Sequence, residues 1–224
     1  MQDIGLFCGT FNPIHVGHLL IAECARDQFG LAKVIFVTSP CPPHRSDTLL
    51  GEQERHTLVE AAIKTNANFE ASPIELNRQG PSYTIDTVNE IDALYQGKAR
   101  INLIIGGDNL HQLADWHKAE ELLSKCRILI VPRLRYIHEK NEPLTRVGIE
   151  PVTISEEFPQ SDIETVDFPG IAISGSKIRK RICQGKTVLY MVPPAVNELI
   201  IKNGYFKEPI SPGSQDTCAG IGES

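Results

Sequence analysis

Four short apolar runs punctuate the chain: residues 4–7, Lys33 to Thr38 (KVIFVT), residues 101–107 (INLIIGG) and residues 127–132 (RILIVP). Each is short, rich in β-branched residues and bounded by turn formers or polar side chains, which predicts strands buried on both faces. Between them the apolar positions change to helical spacing. Residues 18–29 place Leu19, Ala22, Cys24, Ala25 and Phe29 on a broad face, with Gly30 as the stop signal. Residues 52–65 carry Leu58, Ala61 and Ala62 on one face, and further helices are predicted at 84–95 and about 118–125. A Pro-broken run at 69–76 predicts a weaker strand. The stretch 133–172 is interrupted by prolines and charges, with short strands predicted near 150–154 and 163–167. Helices at 174–184 and 194–203 close the pattern. Strands alternating with helices predict an α/β fold: a Rossmann-like, doubly wound, mainly parallel sheet with flanking helices and a small C-terminal helical part. Ligands of such sheets bind outside the carboxyl ends of the strands, at a switch in strand order.

Length and composition fit one domain over residues 1–206, in which 133–170 reads as an insertion, followed by a disordered Pro/Gly/Ser-rich tail at 207–224. An apolar content of 41% supplies a core without staples. The net charge of −6 argues against a duplex nucleic-acid partner and leaves room for a small phosphorylated ligand, which needs only local cations. The six cysteines (Cys8, Cys24, Cys41, Cys126, Cys183 and Cys218) form no CxxC pair and no Cys/His zinc spacing, so buried free thiols in a reducing compartment are expected. No apolar run approaches the roughly 20 residues that span a bilayer, and the first residues lead into a strand without the features of a leader. A cytoplasmic protein, with no membrane partner, is the expectation. A homo-oligomer is compatible with the sequence.

Chemistry enters at the end of the first strand, where Gly9-Thr10-Phe11-Asn12-Pro13-Ile14-His15-Val16-Gly17-His18 leads into a helix. Backbone N–H groups are unpaired at a helix start and the dipole there favours anions. Two imidazoles around a glycine add donors for phosphate oxygens. A surface or capping role would suit one histidine better than two. A zinc pair is disfavoured, because HxxH is shorter than the i,i+4 spacing that puts two ligands on one helix face. Neither GxGxxG nor GxxxxGK[ST] occurs in the chain, which lowers the case for a dinucleotide-binding dehydrogenase or a P-loop enzyme.

The His15-Val16-Gly17-His18 turn resembles the HxGH signature of the α/β-phosphodiesterase nucleotidyltransferases. Ile173-Ser174-Gly175-Ser176-Lys177-Ile178-Arg179 resembles their second, ISSTxxR-like signature at a late helix start. Cys41-Pro42-Pro43-His44-Arg45, Gly80-Pro81-Ser82-Tyr83-Thr84-Ile85-Asp86-Thr87 and Ile104-Ile105-Gly106-Gly107-Asp108 with Trp116-His117 are similar to the PPH[KR], GPSYTxDT and IIGxD…W segments of bacterial nicotinate-nucleotide adenylyltransferases. The resemblance runs over about residues 4–206. It implies transfer of an adenylyl group from ATP to nicotinate mononucleotide, with Mg²⁺ carried on the ATP phosphates and no protein metal ligand.

Residue by residue, the resemblance implies that His15, His18 and Arg179 are catalytic. Gly9, Thr10, Phe11, Ile173, Ser174 and Ser176 would join them around ATP. His44, Arg45, Tyr83, Thr84, Asp108, Trp116 and His117 would bind the acceptor. Thr84 would meet the nicotinate carboxylate through backbone N–H groups, Trp116 would stack under the pyridine, His44 and Arg45 would approach the mononucleotide phosphate, and Asp108 would accept from ribose hydroxyls. Trp116 also fits a core position, and Asp108 also fits a helix cap. Lys177 fits either an assisting cation or exposed helix charge. Three departures stand out: Cys8 and Asn12 where the family has Gly and Asp, and Gly175 in place of the second Ser, from which weaker phosphate contacts are expected. The runs Glu54-Arg55 and Glu120-Glu121 read as solvated helix faces, and His56, His111 and His138 as surface or structural. Another acceptor within the superfamily (nicotinamide mononucleotide, phosphopantetheine, or a phosphorylated alcohol with CTP) and a non-catalytic nucleotide-binding regulator are the competing readings.

Overall fold

The computed structural model describes residues 1–40, 49–132, 135–137, 145–147 and 161–207, without the side chains of 108, 110, 111, 135–137 and 145–147. The apolar runs form β1 (Gln2–Gly9), β2 (Lys33–Thr38), β4 (Ala99–Gly106) and β5 (Cys126–Val131), joined by the shorter β3 (Phe69–Ser72) and β8 (Ile163–Thr165). They make one six-stranded sheet in the order β3-β2-β1-β4-β5-β8, with every pair parallel. The order reverses between β1 and β4, so their carboxyl ends diverge and open a crevice.

Strand alternation splits the core into two layers. Phe7, Val34, Phe36, Ile104, Leu129 and Val131 face one side. Ile4, Leu6, Ile35, Val37, Leu103, Ile105, Ile128 and Ile130 face the other. The first layer is covered by α1 (Val16–Phe29), α2 (Glu52–Ile63), α5 (Gly175–Cys183) and α6 (Pro194–Asn203), through residues such as Ala22, Leu58, Ile178 and Val196. The second is covered by α3 (Thr84–Leu94) and α4 (Ala119–Lys125), through Ile85, Val88 and Leu122. This is the doubly wound arrangement that the alternating pattern predicts.

The punctuation residues act where expected. Gly30 ends α1 in the left-handed region at φ 61°, Pro194 opens α6, and Gly204 closes it at φ 69°. Pro73 shortens the strand predicted over 69–76, and the chain turns there. Two features were not expected: a 3-10 helix over Gly107–Asp115, and an antiparallel pair of β6 (Arg135–Ile137) with β7 (Thr145–Val147). The strand predicted near 150–154, most of the 133–170 stretch, the 208–224 tail, Cys41, Cys218 and His138 lie outside the described residues.

The described cysteines are all free thiols; Cys126 is buried, Cys8 and Cys24 are half-buried, and Cys183 is exposed, against the expectation of burial. Cys183 is the last residue of α5, on its solvent side. Burial pushes the Cys126 thiol up to about 12. Among the described residues no helix is long and apolar enough to cross a membrane.

Candidate active site

The crevice between β1 and β4 is a cleft of about 640 Å³. Its floor is the carboxyl ends of β1 and β4, and its rim is the turn after β1 and the start of α5. Gly9, Thr10, Phe11, His15, His18, Thr84, Trp116, Ile173, Ser174, Ser176 and Arg179, drawn from four separate segments of sequence, all line it.

The turn after β1 is built around Phe11, which is 2% exposed and adopts φ 44°. A bulky residue rarely takes such a backbone, and packing holds it there. Its ring lies edge-on to Phe7 at 5.6 Å and to His18 at 5.1 Å. Phe11 thus seats the His18 ring from the core side. A cis peptide joins Asn12 to Pro13, and Ser39 N–H donates to the Gly9 carbonyl at 2.9 Å.

His15 is the residue that caps α1, and its ring stacks on that of His18 with centroids 3.7 Å apart and planes 17° from parallel. The His15 backbone N–H donates to His18 Nδ1 at 3.2 Å. With Nδ1 accepting, the proton of neutral His18 sits on Nε2. The intervening glycine has a steric cause: a Cβ on Gly17 would stand 3.0 Å from His15 Nδ1 and 3.2 Å from Ile171 Cγ2. Burial lowers the His15 pKa to about 4. Burial, and then the neighbouring His15, hold His18 well below the usual histidine range. Both rings are therefore neutral near pH 7 and act as N–H donors rather than cations. His15 Nδ1 is buried without a hydrogen-bond partner among the described residues.

Ser174 caps α5, its hydroxyl oxygen accepting from Lys177 N–H at 3.3 Å. This helix docks directly on the β1 turn. Arg179 Nη1 donates to the Asn12 carbonyl at 2.7 Å, and a Cβ on Gly175 would stand 2.7 Å from that same oxygen. Gly175, read from sequence as a lost phosphate contact, lets the start of α5 approach the turn after β1 closely. Lys177 is exposed at the cleft rim.

On the opposite wall Thr84 opens α3, and Trp116 follows the 3-10 helix. Trp116 is half-buried and packs against the second core layer while lining the cleft, so the core and site readings coexist. Tyr83 and His117 stack on each other at 4.2 Å beside the cleft rather than in its lining. His44 and Arg45 lie outside the described residues, as does the side chain of Asp108. Glu120 is exposed, as the solvated-face reading expects, and His56 is structural, its Nδ1 3.2 Å from Thr38 Oγ1.

Arg55 is the correction. Instead of a solvated face it is 1% exposed, and its guanidinium donates to four carbonyls: Leu50 at 2.9 Å and Thr10, Ser39 and Pro40 at 2.7 Å each. Asn12 Oδ1 accepts from Leu50 N–H at 3.2 Å beside it. Together they fasten the chain on either side of residues 41–48 to the turn after β1. Position gives the signal: besides His56, the buried positions of α2 are 55, 58, 59, 62 and 63, at i, i+3, i+4, i+7 and i+8, and the charge at 55 masks it.

Comparison with known proteins places these residues in context. The cytidylyltransferase-like family model matches residues 6–181. A protein of Caldicellulosiruptor bescii named "Probable nicotinate-nucleotide adenylyltransferase" is 38% identical over 92% of this chain and 100% of its own length. One of Moorella thermoacetica with the same name is 35% identical over 91% of each. Among solved structures, Plasmodium falciparum nicotinic acid mononucleotide adenylyltransferase complexed with NaAD aligns with a TM-score of 0.71 at 17% identity, covering 92% of this chain and 98% of the other, a likeness of fold.

Proposed function

The chain belongs to the nicotinate-nucleotide adenylyltransferases of the cytidylyltransferase-like family, and we propose that it acts in the cytoplasm, joining nicotinate mononucleotide to ATP to give nicotinate adenine dinucleotide and pyrophosphate in NAD biosynthesis. The observation that carries this reading is one cleft in which the stacked His15–His18 pair and the start of α5 face Thr84 and Trp116. A phosphate-binding wall and a ring-binding wall stand on either side of the strand-order switch.

In the reaction a phosphate oxygen of the mononucleotide attacks the α-phosphorus of ATP in line. The bond from that phosphorus to the bridging oxygen breaks, and pyrophosphate leaves. No bond to the protein forms, so the chain's work is orientation and charge stabilisation. His18 presents Nε2–H to the α-phosphate as charge builds there, and His15 donates from the stacked ring beside it. Arg179, oriented by the Asn12 carbonyl, holds the β- and γ-phosphates. Ser174 and Ser176 add hydroxyls and the first N–H groups of α5. Gly9, Thr10 and Phe11 shape the turn under the nucleotide, and Ile173 lines it. Opposite, Trp116 stacks on the pyridine and the opening of α3 at Thr84 receives its carboxylate, with Tyr83 and His117 flanking. The resemblance assigns His44 and Arg45 to the mononucleotide phosphate and Asp108 to the ribose.

The described cleft lining offers imidazoles, hydroxyls and a guanidinium, donors suited to phosphate oxygens. Mg²⁺ would arrive on the ATP phosphates, keeping waters as ligands and neutralising charge there.

Pyrophosphate release with ATP and Mg²⁺, offered nicotinate and nicotinamide mononucleotides separately, is the test. Strong turnover with the acid and little with the amide is expected. Equal turnover would overturn the carboxylate-reading role of Thr84, and turnover with neither would overturn the reaction.

A further inference from the structure

Behind the opening of α3 lies a buried polar network for which the proposed reaction gives no direct role. Glu75, in the turn after β3, is 4% exposed. It accepts a hydrogen bond of 2.8 Å from the hydroxyl of Thr87, which is itself fully buried. Thr87 Oγ1 in turn accepts from Arg78 Nη2 at 3.2 Å. The same guanidinium donates to Ser82 Oγ at 2.7 Å and grips Glu90 through Nε and Nη2 at 2.9 and 2.6 Å. The hydroxyls of Ser82 and Ser39 also act on the Glu75 carboxyl.

The geometry of this network is specific. Ser82 and Thr87 bracket Tyr83 and Thr84, one before the first turn of α3 and one within it. Arg78 touches both brackets, and Glu75 fixes the direction of the Thr87 hydroxyl. Glu90, a further turn along α3, anchors Arg78 to the helix. The backbone of residues 82–87 is thus held from behind while Thr84 faces the cleft. A buried carboxylate and a half-buried guanidinium would be costly here unless their partners were in place. The arrangement therefore has one low-energy form, and that form sets the direction of the N–H groups opening α3.

We propose that Glu75 and Arg78 are positioning residues that set the preference for an acid over an amide in the acceptor, by fixing the Ser82–Thr87 backbone behind the pyridine-binding wall. This rests on the reading that nicotinate mononucleotide is the acceptor and that the opening of α3 receives its carboxylate. A carboxylate accepts charge-assisted hydrogen bonds that demand close alignment, and an amide with one oxygen and its own donors depends on them less. Loosening the backbone therefore costs the acid more than the amide. The network approaches the ATP wall through Ser39, whose hydroxyl acts on Glu75 and whose N–H donates to the Gly9 carbonyl, while Arg78 and Thr87 contact Ser82, Glu75 and Glu90 on the acceptor side.

The experiment compares wild type with Arg78→Gln, Arg78→Lys, Glu75→Gln and Thr87→Val. Read out are kcat/KM for nicotinate and nicotinamide mononucleotides, KM for ATP, and the thermal midpoint. The acid-to-amide ratio is expected to fall roughly tenfold in Arg78→Gln and Thr87→Val and less in Arg78→Lys, with KM for ATP within about twofold of wild type. Thr87→Val keeps the shape of the side chain and carries the same test if Arg78→Gln does not fold. Folded variants that lose both acceptors equally, or keep the wild-type ratio, would overturn the inference and leave the proposed reaction standing. A wild type without preference for the acid would overturn both.

Discussion

His15 and His18 pose a question of energy before one of catalysis. In the free protein near pH 7 the two stacked imidazoles are neutral, so they meet a polyanion as donors and their contribution must come from placement. Placement is supplied by Phe11 beneath His18, the His15 N–H on Nδ1, and the bare Gly17 beside the His15 ring. His18→Ala is expected to lower kcat by about 10²–10³-fold while ATP binding, measured by calorimetry, weakens far less. A kcat within tenfold of wild type would remove His18 from the reaction. Gly17→Ala separates geometry from chemistry, because both imidazoles remain. The added methyl would push the His15 ring away, and a displacement on the order of 1 Å can cost about 10²-fold. We expect kcat/KM to fall at least tenfold with a thermal midpoint close to wild type. An active Gly17→Ala enzyme would show that the ring stacking carries no catalytic weight.

At the scale of elements, the site depends on how α5 and α2 meet the β1 turn. Sequence reading takes Gly175 as a hydroxyl lost from the phosphate wall; the structure makes it the contact that lets α5 approach the Asn12 carbonyl. The two accounts give opposite outcomes for Gly175→Ser. On the structural account the new Cβ, 2.7 Å from a backbone oxygen, forces the helix back and pulls Arg179 from its place, so kcat/KM for ATP drops about tenfold or more, with Gly175→Ala behaving alike. A faster Gly175→Ser enzyme would restore the sequence account. Arg55 acts similarly from α2. Arg55→Met keeps much of the volume and leaves four carbonyls without their donor. The expected loss is roughly 3 kcal/mol or more in urea unfolding, because each buried acceptor bears its own desolvation cost. A variant within about 1 kcal/mol of wild type would mean that water replaces the guanidinium.

Across the whole molecule, what could be read in advance was what is local. The four apolar strands, the helices between them and the two signatures depend on neighbours a few residues apart, and they stand where the pattern put them. The contact between Arg179 and Asn12 joins residues 167 apart, neither the order of the sheet nor the burial of Glu75 leaves a periodic trace, and the charge of Arg55 masks the one that α2 carries. Burial has one consequence felt by the entire fold. His15 has a pKa of about 4 in the native state against about 6.5 unfolded. Between these values the unfolded chain binds more protons, so stability rises with pH across that window and is lost as pH falls from 6.5 towards 4. For His15 alone the loss approaches about 3 kcal/mol; His18 and the buried His56, whose pKa values are also lowered by burial, act in the same direction. Denaturation midpoints at pH 7, 6 and 5 should fall steadily for the wild type and more shallowly for His15→Gln. Carboxylates titrate alike in both proteins, so the difference in slope isolates the histidine. ATP reverses the sign locally. Its phosphates favour imidazolium in the cleft, so binding near pH 6 should take up protons, seen as a buffer-dependent heat in calorimetry that shrinks in His15→Gln. Equal slopes and equal proton uptake in the two proteins would mean that the stacked pair does not feel the pH at all.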